Sequence, residues 1–178
     1  MANPTHVLIA SQTLASSASS VTFSSIPQTY TDLKLMVSAR SNYAAVTDVF
    51  YGQINSNSSL IYSGTSLYGN GSSAGSTRTS GTNFLDVNGF PNAMIINGAN
   101  STSNIFSNKE FYFPNYTSSQ NKPASSLGAT ENNATAGYVE IDAFLARDTN
   151  PITSIAFGFG NGSLIAGSSF YLYGIKNS

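Results

Sequence analysis

Residues 20–40, SVTFSSIPQTYTDLKLMVSAR, restrict the fold more than any other stretch of the chain. Two alternating runs flank a polar turn at Ile26 and Pro27. Successive side chains of an extended strand point to opposite faces, so Leu33, Leu35, Val37 and Ala39 share one side and Lys34, Met36, Ser38 and Arg40 the other. That is a strand with one buried face. The run near the C-terminus repeats the pattern, with Phe170, Leu172 and Gly174 set against Tyr171, Tyr173 and Ile175. No stretch sustains the i, i+3, i+4, i+7 spacing of a long amphipathic helix, and the chain is expected to be all-β.

Further strand patterns fall at residues 7–14, 48–54, 60–67, 93–97, 110–113, 137–145 and 152–159. They are separated by clusters of Ser, Asn, Gly and Pro, the residues of turns. In 137–145, Val139, Ile141, Ala143 and Leu145 alternate with Tyr138, Glu140, Asp142 and Phe144. Two gaps are long: 68–82 reads as a mobile surface loop, and 117–133 as a loop with a short strand near 126–129. An antiparallel β-sandwich, jelly-roll-like, with about eight to ten strands accounts for this spacing. The 178 residues suit one domain, with 1–20 an N-terminal arm or first strand and 21–178 the sandwich.

Composition narrows the partners. Only 8% of residues are charged, against roughly 25% in ordinary soluble domains. The seven basic residues are scattered and the net charge is −1. Binding a phosphate backbone needs clustered Lys and Arg, so nucleic acid is not an expected partner. Nothing approaches a membrane span or a basic amphipathic helix, and the N-terminal run lacks the features of a secretory signal. With no cysteine and one histidine, neither a disulfide framework nor a Cys- or multi-His metal site can be built, and no cofactor is expected.

Three stretches together resemble a set of small tailed-phage virion proteins. They are Val21 to Pro27 followed by Tyr30-Thr-Asp-Leu-Lys-Leu-Met-Val-Ser-Ala-Arg40; Leu67-Tyr-Gly-Asn-Gly71; and Ile152-Thr-Ser-Ile155 with the closing Ser168-Ser-Phe-Tyr-Leu-Tyr-Gly-Ile-Lys176. The resemblance covers about half of the chain, and its motifs are structural, not catalytic. It implies a non-enzymatic component made in the host cytoplasm and displayed on the outer surface of the virion. Such proteins serve as capsid decoration, cementing or head-fibre modules, and related sandwiches occur in tail fibres. The implied partners are the major capsid protein or other virion proteins and further copies of the chain, a trimer being favoured. A fibre module that binds host cell-surface glycan is the alternative.

Chemistry-bearing residues are few. His6 lies near the chain end and reads as an exposed or strand-edge residue. Glu140 and Asp142 share a strand face roughly 7 Å apart, a separation found in glycosidase acid pairs, but a solvated face gives the same spacing and is the preferred reading. Asp86-Val-Asn-Gly89 begins like a calcium loop but lacks its closing glutamate, and reads as a turn. The six Asn-x-Ser/Thr sequences follow from a composition rich in those residues. The remaining candidates are tyrosines: Tyr112, Tyr116, Tyr171 and Tyr173 lie in or beside strands. Each offers an apolar ring with a polar tip, suited to a subunit interface or a sugar-stacking platform.

Overall fold

The computed structural model describes residues 5–85, 94–133 and 137–176. Among them the regular structure is entirely β. One antiparallel sheet of eight strands dominates, and the expected antiparallel sandwich is present. Its strands are β1 (His6–Thr13), β3 (Asp32–Ala39), β6 (Tyr62–Gly69), β7 (Ala74–Thr82), β9 (Ser107–Phe113), β10 (Lys122–Thr130), β11 (Tyr138–Ala146) and β13 (Ser169–Ile175). In space they run β1-β13-β3-β9-β10-β11-β6-β7. A three-stranded sheet, β2-β12-β5, is formed by β2 (Ser20–Phe23), β5 (Tyr51–Ile54) and β12 (Ile155–Gly158). A two-stranded ribbon joins β4 (Thr47–Val49) to β8 (Ile95–Asn97). The thirteen segments exceed the eight to ten expected because the 48–54 run splits in two and both long gaps contain strands.

The core lies where the two larger sheets face each other. Phe111 and Phe170 project from the large sheet and Phe157 from the small one. Phe157 stacks on Phe50 with ring centroids 5.5 Å apart and meets Phe111 at 4.2 Å. Leu33, Leu35, Phe111, Phe170 and Leu172 are completely buried, as the alternation of 33–39 and 170–174 requires.

Three expectations are corrected. The 68–82 gap is not a loop. It is the last residues of β6, a tight turn and the nine-residue edge strand β7. Asn70 Oδ1 accepts hydrogen bonds from the backbone of Ser72 and Ser73 at 3.1 and 2.8 Å, and Gly71 takes φ 84°, so a short polar sequence makes a hairpin turn. The short strand near 126–129 is a full central strand, β10. Arg40 does not continue the exposed face of β3. It turns inward and donates to the carbonyls of Ala99, Ser101, Thr102 and Ile105, pinning that loop.

Candidate interaction surface

Pairing in the large sheet is continuous enough for one row of side chains to be followed across its outer face. From β13 to β6 the partners are Tyr171, Met36, Glu110, Leu127, Ile141 and Leu67. Leu127, Ile141 and Leu67 are neighbours in this row and are 53%, 58% and 60% exposed; Val139, two residues along β11 on the same face, is 55% exposed. Four large aliphatic side chains thus form one patch on a broad sheet, separated on the β13 side by Glu110 from Met36 and Tyr171. Isolated exposed aliphatics are ordinary on protein surfaces, whereas a contiguous patch is a candidate surface for contact with another molecule.

The neighbouring row carries Tyr173, Lys34, Tyr112, Ser125, Ala143 and Thr65. Lys34 and Glu110 pair across the two rows at 2.8 Å. The Tyr112 hydroxyl donates to Asp32 Oδ2 at 2.6 Å, and that bond, with partial burial, pushes its pKa up to about 12. Tyr112, Tyr171 and Tyr173 therefore share this face. Tyr116 does not: it is fully buried, and its hydroxyl donates to the carbonyl of Pro27. Its location in the core removes it from the interface candidates. It follows Phe113 by three residues, beyond the end of β9, so strand alternation no longer governs its direction.

Glu140 and Asp142 face the opposite way from the solvated side expected of them. Both are 1% exposed on the inner face of β11, while Val139 and Ile141 take the outside. Phe144 and Ala146, in the same phase, anchor that side of the strand in the core. The inner face supplies partners for the carboxylates. Lys109 Nζ contacts Glu140, the backbone N–H of Met94 donates to Glu140 Oε2 at 2.5 Å, and Ser126 Oγ donates to Asp142 Oδ2 at 2.5 Å. A signal for this lay in 107–113, where Lys109 falls in phase with Phe111 and Phe113. A lysine on an apolar strand face demands a buried acid.

His6 sits exposed on β1 beside Thr5, as expected of a chain-end histidine. The Asp86-to-Gly89 segment lies outside the described residues.

Burial also removes charge from the exterior. Asp32, Arg40, Asp48, Lys109, Lys122, Glu140, Asp142 and Asp148 are all buried, eight of a chain that has only seven basic and eight acidic residues. Most of them tie loops: Asp48, for example, accepts from the backbone N–H groups of Asn161 and Gly162, each at 3.0 Å. Among the described residues the exterior keeps only Lys34, Arg78, Arg147, Lys176, Glu110 and Glu131, so contact between copies meets little electrostatic repulsion.

Comparison with known proteins finds no family model that matches the chain and no curated protein similar to it.

Proposed function

We propose that this chain is a non-enzymatic structural protein of a bacteriophage particle, a capsid decoration or cementing module that attaches to the outer shell as a symmetric oligomer. The observation that carries the reading is the aliphatic patch of Leu67, Leu127, Val139 and Ile141 on the outer face of a rigid eight-stranded sheet. Such a face binds by shape and apolar burial, and the carboxylates that hinted at hydrolysis are buried on the other side. A sparsely charged surface suits repeated copies lying side by side. Particles separated into heads and tails and quantified for this chain test the reading: many copies per head are expected, and its absence from heads overturns it.

A second reading, a fibre module that binds host glycan, rests on Tyr171 and Tyr173, which point outward beside Met36 and Lys34. It loses the support of a long loop at 68–82, now a paired strand. Binding of the purified protein to arrayed glycans would favour it; no binding above background removes it.

A further inference from the structure

Lys109, Gly128 and Glu140 occupy one transverse row on the inner face of three adjacent strands, β9, β10 and β11. Neighbouring strands lie about 4.8 Å apart, so Lys109 and Glu140 start about 10 Å from each other with β10 between them. They meet because the intervening residue has no side chain. A Cβ on Gly128 would stand 2.7 Å from Lys109 Nζ and 2.9 Å from Glu140 Oε1. The amine and the carboxyl are in direct contact, with side chains 0% and 1% exposed.

The surroundings suit bond formation between them. The N–H of Met94 donates to Glu140 Oε2 at 2.5 Å, and that of Ile95 lies 3.4 Å from Oε1. Met94 adopts φ 52°, a left-handed conformation uncommon for a side chain of its size, and its N–H meets the carboxyl from that position. The Met94 N–H thus stands where an oxyanion on Oε2 would need a donor, on the other oxygen from the one that Lys109 touches. Asp142, one inner-face position along β11, holds Ser126 through Oδ2, while its Oδ1 is buried with no hydrogen-bond partner among the described residues.

The geometry points to an autocatalytic isopeptide bond between Lys109 Nζ and Glu140 Cδ, with Asp142 as the proton carrier. In the dry interior the ammonium passes a proton to the Glu140 carboxylate, because a neutral amine and acid are cheaper to bury than two charges. The amine attacks Cδ; the Met94 N–H stabilises the oxyanion that forms on Oε2, while Oε1, which took the proton, becomes the departing hydroxyl. Asp142 removes a proton from the attacking nitrogen and delivers it to the departing hydroxyl. The C–O bond breaks, one water leaves, and the Nζ–Cδ amide remains. Nothing is oxidised or reduced, and no co-reactant is needed. Burial already lowers the Lys109 pKa to about 8, against a smaller opposing pull from Asp142, which brings the nucleophilic free amine within reach near neutral pH. The product staples β9 to β11 across β10 at the centre of the sheet. The inference does not depend on the proposed virion role.

Intact-mass spectrometry of the purified, denatured full chain tests it. The expected mass is one water below that of the sequence, and chymotryptic digestion yields a branched peptide joining the residues around Lys109 to those around Glu140. A wild-type mass equal to the sequence overturns the proposal, whether or not any variant folds, and so does a water loss that maps to another pair. Lys109→Arg retains the full mass. Freshly purified Asp142→Asn, checked for a folded β spectrum by circular dichroism, is expected to be uncross-linked. Losing the proton carrier slows such a step by about 100-fold or more. Prompt cross-linking in that variant refutes the role given to Asp142.

Discussion

Gly128→Ala and Gly69→Ala place the same methyl group in adjoining parts of one sheet, and the structure assigns them opposite signs. At Gly128 the added Cβ falls 2.7, 2.9 and 3.1 Å from Lys109 Nζ, Glu140 Oε1 and Glu140 Cγ. Those atoms belong to side chains held between the sheets, so neither can swing into solvent to make room. Overpacking of this kind costs about 1–3 kcal/mol. At Gly69 the nearest atoms are Val139 Cγ1 at 3.7 Å and Ser73 O at 3.9 Å, ordinary contact distances. Alanine there restricts the unfolded chain and is expected to stabilise by about 0.4–1 kcal/mol. The assay is urea or thermal unfolding followed by circular dichroism, since the chain has no tryptophan. A loss of about 2 kcal/mol lowers the melting temperature of a chain of this size by about 4–8 °C. Gly128→Ala should therefore melt below wild type and Gly69→Ala at or above it. If the two variants melt together, Lys109 and Glu140 do not meet across β10, and the placement of that pair is wrong.

Tyr116→Phe leaves the Pro27 carbonyl without its hydroxyl donor and is expected to cost about 1–3 kcal/mol in urea unfolding, whereas an interface tyrosine would show no such loss. Ile141→Ser removes about 2 kcal/mol of apolar burial from any contact made through the outer face. Attachment to heads should weaken by roughly 30-fold while the melting temperature stays near wild type. Asp148 carries a pH dependence. Burial pushes its carboxyl up, but hydrogen bonds from Asn150 and Asn55 and the charge of Lys122 outweigh this and hold it below its ordinary value of 3.8. A depressed carboxylate contributes stability above its unfolded pKa and loses it as the pH falls through the folded one. Asp148→Asn should thus destabilise at neutral pH and shrink the difference from wild type below pH ~4; an unchanged difference across that range would refute the assignment.

The sequence by itself determined the class of fold and the position of most strands. Alternation in 33–39 and 170–174 is a local property of the extended chain: Leu33, Leu35, Phe170 and Leu172 had to face a core wherever that core lay. The polar composition of 68–82 read only as a loop. Asn70 and Gly71 make a tight turn within it, but the strand after that turn, AGSTRTSGT, has no apolar periodicity, and it is a strand only because β6 offers it a pairing edge. The direction of β11 could not be read locally, because both of its alternating sets contain residues fit for a core. That choice was made by the neighbours. Gly128 gives passage across β10, Lys109 and Ser126 supply partners to Glu140 and Asp142, and Phe144 commits the strand to the phase that buries them. Once the carboxylates turned inward, Val139 and Ile141 had to turn out, because a strand has only two sides. The interaction surface and the buried lysine site are thus two consequences of a single tertiary decision about strand phase.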